Sequence, residues 1–182
     1  RNGKTIAKGI KATNFTDAEG TSNSSYKIIA RQQGKEMPSM EITPWNDIFY
    51  RMPVVRPEGG RTPDGKPYTY SPNDCSVGDV DGDGQYELIL KWDPSNSHDN
   101  SHNGYTGDVI IDCYKLTGQQ LWRINLGRNI RAGAHYTQFL VYDFDGDGKA
   151  EMICKTAPGS IDGKGQYVTS SATDVEIRNI NN

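Results

Sequence analysis

Long apolar runs are missing from this chain of 182 residues: 34% of it is hydrophobic, and no stretch approaches the roughly 20 apolar residues that a membrane helix needs. A membrane-spanning helix is therefore not expected. Charge of one sign is not in excess either, since 20 Lys and Arg stand against 23 Asp and Glu for a formal net charge of −3. Association with nucleic acid driven by charge is excluded on that balance. Cysteine is scarce, and Cys75, Cys113 and Cys154 show neither metal-type spacing nor the density of a disulfide scaffold. They read as small buried residues in strands. No segment sustains the 3.6-residue periodicity of a helix over ten or more positions. The chain also lacks an initiator Met and a leader-like segment at Arg1, and the pattern at Ile177 to Asn182 stops inside a strand and its turn. We expect a portion of a longer polypeptide, so the missing leader carries no message about compartment.

What is present is turn chemistry and alternation. The 20 Gly and 9 Pro punctuate short runs rich in Val, Ile, Thr and Tyr, such as Tyr26 to Arg31, Glu87 to Trp92, Asp108 to Leu116, Gln120 to Leu126 and Gln138 to Tyr142. An all-β fold is expected. Residues 1–51, with turns at Asp17 to Gly20 and Gln33 to Lys35, read as part of a small β-sandwich. The Pro-punctuated stretch 52–69 reads as a linker, and 70–182 as a repeat region.

The repeat is explicit. Asp79-Val-Asp-Gly-Asp-Gly-Gln-Tyr-Glu87 recurs as Asp143-Phe-Asp-Gly-Asp-Gly-Lys-Ala-Glu151, with Lys91 mapping on Lys155 and Pro94 on Pro158. A weaker echo of Gly107 to Ile111 falls at Thr173 to Ile177. Each unit reads as strand, acidic loop, strand, long polar loop and strand, and the first adds a turn at Thr117-Gly118 and a fourth strand. Four short strands per unit suggest a propeller blade enlarged by loop insertion. Fewer than three such units fit in the chain, whereas a propeller closes with about four to eight blades. The truncated repeat thus independently suggests a longer protein.

The acidic spacing has a chemical reason. A hard divalent cation such as calcium takes six to eight oxygens, and a tight loop can present carboxylates at its first, third, fifth and ninth positions and a carbonyl at its seventh. Asp79, Asp81, Asp83 and Glu87, with the carbonyl of Gln85, are the expected ligands of one site. Asp143, Asp145, Asp147 and Glu151, with the carbonyl of Lys149, are those of the other. Glycines at positions four and six let the backbone curl around the ion. An all-oxygen set argues against zinc or copper. A solvated acidic hairpin turn is the alternative, but three carboxylates within five residues repel one another without a cation, and the pattern occurs twice. An EF-hand would carry its Glu at position twelve between helices; here Glu at nine leads straight into Leu88-Ile-Leu90 or Met152-Ile-Cys154. Stapling of strands is the expected role, in a calcium-rich compartment outside the cytoplasm. Eight of the 23 acidic residues lie in these loops, so the mild negative charge does not argue against a polyanionic partner.

The segments Tyr70 to Glu87, Leu90 to Asn96, Trp122 to Gly127 and Gly133 to Gln138 together resemble bacterial rhamnogalacturonan lyases of polysaccharide lyase family 11, continuously from about Pro57 to Thr156. Residues before Arg51 look like the tail of the small fibronectin-like β-domain that precedes the propeller in that family. The resemblance implies a secreted, periplasmic or cell-surface bacterial enzyme with an eight-bladed, calcium-rich propeller, closed by the remainder of the same polypeptide. It implies cleavage of rhamnogalacturonan I, a pectin backbone, by β-elimination: neutralisation of the uronate carboxylate acidifies the C5 proton, a base removes it, and O4 departs.

By the same resemblance, Asn73 in Ser71-Pro-Asn-Asp74 and Asp93 in Lys91-Trp-Asp-Pro94 match positions that contact sugar. An amide and a carboxylate suit vicinal hydroxyls. Equally, Asn73 can cap a turn after Pro72 and Asp93 can open one before Pro94. His135 is a weaker candidate, as catalytic base, calcium ligand or hydrogen-bonded core histidine. His98 and His102 are expected in an exposed polar loop, Lys91 and Lys155 in ion pairs within their units, and Trp92, Tyr105 and Tyr136 in strand packing. The family's catalytic metal and histidine cluster is implied to lie beyond residue 182. A non-catalytic calcium-binding propeller module for adhesion or carbohydrate binding would share the acidic loops but not the surroundings of Asn73 and Asp93.

Overall fold

The computed structural model describes residues 1–99, 101–133 and 137–168. Every regular element among them is a strand, as the alternation predicts, and the chain divides into two compact units, Arg1–Arg51 and Met52–Asn182. In the first unit β1 (Tyr26–Lys27) pairs antiparallel with β4 (Glu41–Ile42), and β2 (Arg31–Gln32) pairs with β3 (Lys35–Glu36). Gln33 and Gly34 turn between the latter with φ of 51° and 78°, as a two-residue hairpin turn of matching twist requires. The run expected as one strand from Tyr26 to Arg31 is thus split between two pairs.

The second unit is built on a four-stranded antiparallel sheet in the order β10-β9-β8-β7, formed by β7 (Tyr70–Gly78), β8 (Glu87–Pro94), β9 (Ile110–Tyr114) and β10 (Gln120–Asn125). Each strand pairs with its neighbour in sequence. The central strands β8 and β9 are buried on both faces, which explains their continuous apolar runs. Alternation sorts their side chains into two cores. Ile89, Val109, Ile111 and Cys113 face one cluster with Leu126 and Ile130, while Leu90, Trp92, Ile110 and Tyr114 face another with Tyr70.

A second hairpin, β11 (Phe139–Tyr142) with β12 (Glu151–Cys154), lays Phe139, Val141, Met152 and Cys154 against the first of these cores. Its register repeats that of β7 and β8. Val77 opposite Leu88 and Gly78 opposite Glu87 correspond to Val141 opposite Met152 and Tyr142 opposite Glu151, each 64 positions on. The two repeats touch at Gly78, where an added Cβ would lie 2.7 Å from both Ala150 Cβ and Val141 Cγ1. Only glycine allows that approach.

Two expectations change. The stretch 52–69, expected as a linker, holds a hairpin of β5 (Gly60–Arg61) and β6 (Pro67–Tyr68), and it packs Met52, Val54 and Tyr68 against the Trp92 core. Val55 is tied to the sheet as well: its N–H donates to the Tyr114 hydroxyl at 3.2 Å and its carbonyl accepts from Arg123 at 2.6 Å. Of the three cysteines, Cys113 is buried and Cys154 half-buried, but Cys75 is exposed, beside an irregularity in β7 that interrupts the alternation.

Candidate functional site

The acidic loops lie at the turns of the β7–β8 and β11–β12 hairpins and have the same internal wiring. In the first, Asp79 Oδ1 accepts from Gly82 N at 2.7 Å and Asp83 N at 3.1 Å, and Oδ2 accepts from Gly84 N at 2.8 Å. In the second, Asp143 accepts from Gly146 N at 2.7 Å and Gly148 N at 2.9 Å. Gly82, Gly84, Gly146 and Gly148 have φ between 79° and 90°, which turns these N–H groups inward in a conformation that side chains resist. Glu87 and Glu151 each accept the backbone N–H of the residue after the leading Asp, Val80 and Phe144, both at 2.9 Å.

In each loop three carboxylates converge. Asp79, Asp81 and Glu87 offer oxygens within 4.8 Å of one another, and so do Asp143, Asp145 and Glu151. Glu87 is almost wholly buried, a costly place for a carboxylate unless positive charge meets it. The donor set is entirely oxygen, so both loops can hold a hard divalent cation. Asp83 and Asp147 stand outside these trios; each accepts the N–H two residues on, from Gln85 and Lys149, both at 2.8 Å. The carbonyls of Gln85 and Lys149 are the expected ligands; their N–H groups are tied back to these aspartates.

The loops differ in one respect. The Lys115 ammonium lies 2.5 Å from Asp81 Oδ2 and 3.0 Å from Asp83 Oδ2. Its hydrogen bonds to both carboxylates raise the Lys115 pKa, and the same contact, with the Gln85 N–H, lowers that of Asp83. The loops also meet directly, through a 2.7 Å hydrogen bond from Ala150 N to Asp79 O and the Lys149 stem lying over Gly82.

Asn73 and Asp93 lie towards the other end of the same hairpin. Asp93 is opposite Ser71, and the ladder skips between Pro72 and Cys75, so that Asn73 and Asp74 form a bulge facing Lys91. Lys91 is 1% exposed and its Nζ donates to Asp74 Oδ2 at 2.6 Å. Lys91 and Asp93 share a face of β8, and the Asp93 pKa is raised by burial, against a Ser97 hydrogen bond and Lys91 that lower it, with Asp74 adding to the rise. Six residues separate Asn73 from Asp79, roughly 20 Å of extended strand. The first acidic loop and the candidate sugar contacts are therefore held apart along one ladder.

The second repeat supplies an internal contrast. At the same offset it carries Thr137 for Asn73, Gln138 for Asp74 and Ala157 for Asp93, while keeping the whole acidic loop. The paired part of the second hairpin, Phe139–Tyr142 with Glu151–Cys154, ends before these positions, so the longer ladder and its bulge belong to the first repeat. Lys155, at the position of Lys91, is exposed.

Of the remaining candidates, His135 and Tyr136 lie outside the described residues, as does the echo at Thr173 to Ile177. His98 is half-buried where exposure was expected. Its Nδ1 is 2.7 Å from Asn96 O, its N–H donates to Ala132 O at 3.2 Å, and its ring stacks on the exposed His102 at 6.2 Å. Arg131 orders the same loop by donating to the carbonyls of Asp99, His102 and Gly104. Trp92 is buried in the core, with its Nε1 donating to Asp112 at 2.8 Å. The ion pair expected of Lys91 within its unit is present, but its partner Asp74 and the whole Asp112 cluster escaped the sequence, because each depends on cross-strand register.

An all-β chain with duplicated acidic loops defines the class: a strand-repeat protein whose two carboxylate clusters could each hold a cation. The chain belongs to rhamnogalacturonan lyase family 11, whose C-terminal domain matches residues 49–180. It is 59% identical over 177 residues to the rhamnogalacturonan exolyase YesX of Bacillus subtilis (strain 168), an alignment covering 96% of this chain and 29% of that protein. Identity to the rhamnogalacturonan endolyase YesW of the same strain is also 59%, over 94% of this chain and 28% of that one. The solved structure of YesW superposes with a TM-score of 0.82 over 89% of this chain and 28% of its own, at 60% identity. The Bacillus licheniformis rhamnogalacturonan lyase PL11 does so with a TM-score of 0.82 over 91% and 28%, at 59% identity. The chain spans under three tenths of the length of these relatives. No helix among the described residues is long and apolar enough to cross a membrane.

Proposed function

We propose that this chain is one segment of a secreted bacterial rhamnogalacturonan lyase, which cleaves the rhamnogalacturonan I backbone of pectin by β-elimination at galacturonate O4. The observation that carries the proposal is 59% identity over 96% of the chain to a rhamnogalacturonan lyase. In the reaction a base takes the C5 proton, the C4–O4 bond breaks, and a C4=C5 double bond remains; no water enters the products. In this proposal residues 1–51 are the end of a fibronectin-like sandwich, the β7–β10 sheet is the first blade of a propeller closed by the rest of the polypeptide, and β11–β12 opens the second.

Calcium is the proposed occupant of both acidic loops. Asp79, Asp81, Asp83 and Glu87, with the Gln85 carbonyl, would hold one ion; Asp143, Asp145, Asp147 and Glu151, with the Lys149 carbonyl, would hold the other. When bound, such ions supply charge neutralisation that keeps the clustered carboxylates folded. The separation of roughly 20 Å along β7 supports stapling for the first loop over contact with the sugar that Asn73 and Asp93 would bind. Those two residues hydrogen-bond sugar hydroxyls in this proposal and leave the proton transfer to groups elsewhere in the full protein.

The test is direct. Full-length protein mixed with rhamnogalacturonan I and calcium should gain ultraviolet absorbance from the new C=C bond. Binding retained without that gain would instead identify a non-catalytic carbohydrate-binding module, and new reducing ends without it a hydrolase.

A further inference from the structure

The bulge at Asn73 and Asp74 is held by a lysine whose burial packing alone does not require. Lys91 is 1% exposed on the face of β8 that also carries Glu87, Ile89 and the half-buried Asp93, so its ammonium must be matched by charge or hydrogen bonds. Asp74 provides that match at 2.6 Å, although its own side chain is 63% exposed. A carboxylate of that exposure has water as an alternative partner, so the pair constrains the strand more than it relieves Asp74. The segment constrained is the bulge itself: Asp74 is covalently next to Asn73, and Lys91 is two residues from Asp93 on one face. In the second repeat the lysine persists as Lys155, exposed, and Asn73, Asp74 and Asp93 are replaced together by Thr137, Gln138 and Ala157. Those positions lie past the paired ends of β11 and β12, so the pair accompanies the longer ladder that carries Asn73 and Asp93.

We propose that Lys91 is a positioning residue: its buried ammonium grips Asp74 and so fixes the bulge that carries Asn73, on the strand paired with that of Asp93, for the pectic substrate. This rests on the proposal that Asn73 and Asp93 contact sugar. Lys91 is too enclosed to touch the polysaccharide, so its contribution belongs to substrate affinity and not to the proton transfer.

The experiment measures kcat and KM of the full-length lyase on rhamnogalacturonan I for Lys91→Met, Asp74→Ala and the double variant, with Tm followed for each. Asp74→Ala leaves the buried ammonium unmatched, so the double variant, which removes both charges, keeps the test open should either single variant fail to fold. Each single change is expected to raise KM about tenfold, as expected for loss of one charge-assisted hydrogen bond, with kcat within about twofold of the parent. The double variant should raise KM no further than either single one, because both remove the same restraint. Asp74→Asn, which still accepts the ammonium's hydrogen, should keep most of the parent KM. Unchanged KM in both single variants, or additive effects in the double, would overturn the proposal while Asn73→Ala and Asp93→Ala still raise KM. If those two variants leave KM unchanged as well, the sugar-contact assignment falls and takes the positioning role with it.

Discussion

Asp112 has no exposed surface, yet its two oxygens accept from Trp92 Nε1 at 2.8 Å, the Tyr114 hydroxyl at 2.7 Å, and Arg123 Nε and Nη2, both at 2.7 Å. These groups come from three adjacent strands, and Arg123 continues to the Val55 carbonyl. Replacing Asp112 by Ala would leave an indole N–H and a phenol turned towards an empty acceptor site and a guanidinium without its carboxylate. Asp112→Ala should therefore cost about 3–5 kcal/mol of stability, read from urea unfolding. A change below about 1 kcal/mol would mean that the cluster is dispensable. Nothing in the order Ile-Ile-Asp-Cys-Tyr announces such a cluster, since each member acquires its neighbours only when three strands align. The acidic loops were legible for the opposite reason: nine consecutive residues contain the glycines, the carboxylates and the spacing. Asn73 and Asp93 fall between these cases, marked by resemblance and not by local chemistry, because amides and carboxylates beside proline serve turns just as readily.

At the scale of elements, the two hairpins share a register but not a charge environment. The first loop has Lys115 on Asp81 and Asp83, while the second carries three aspartates and a glutamate whose charge, among the described residues, meets no ammonium in an ion pair. If calcium fills both loops as proposed, its withdrawal should let repulsion among carboxylates open the second loop more than the first. Hydrogen exchange read by mass spectrometry on calcium-free, full-length protein should therefore show faster exchange for amides of 143–151 than for 79–87, and addition of calcium should slow both. Equal rates in the two loops would show that Lys115 provides no compensation. The existence of strands β7 to β12 followed from period-two patterning and Gly-rich turns, which are local signals. The packing of 52–69 did not, because proline punctuation reads the same in a free linker and in a strap held by Tyr114 and Arg123.

For the whole molecule, the equal 59% identity to an exolyase and an endolyase is informative. Overall identity therefore assigns this portion of the chain to neither mode of attack. The choice between internal and terminal cleavage is then expected from other parts of the polypeptide. An endolyase in which the corresponding portion is replaced by residues 49–180 of this chain should still release mixed long fragments early in digestion, as resolved by size-exclusion chromatography. Early release of only small products would place the determinant within this segment.

The strand order β10-β9-β8-β7 has a consequence in time. Every partnership in the sheet is between neighbours in sequence, so hydrogen bonding among the four strands is complete once Asn125 has left the ribosome. Low contact order favours rapid closure of such a meander, and synthesis at about 5–20 residues per second allows it before the second hairpin emerges. The nascent sheet can then serve as the template on which β11 and β12 dock, with Gly78 and the Asp79 carbonyl already in place to receive Ala150.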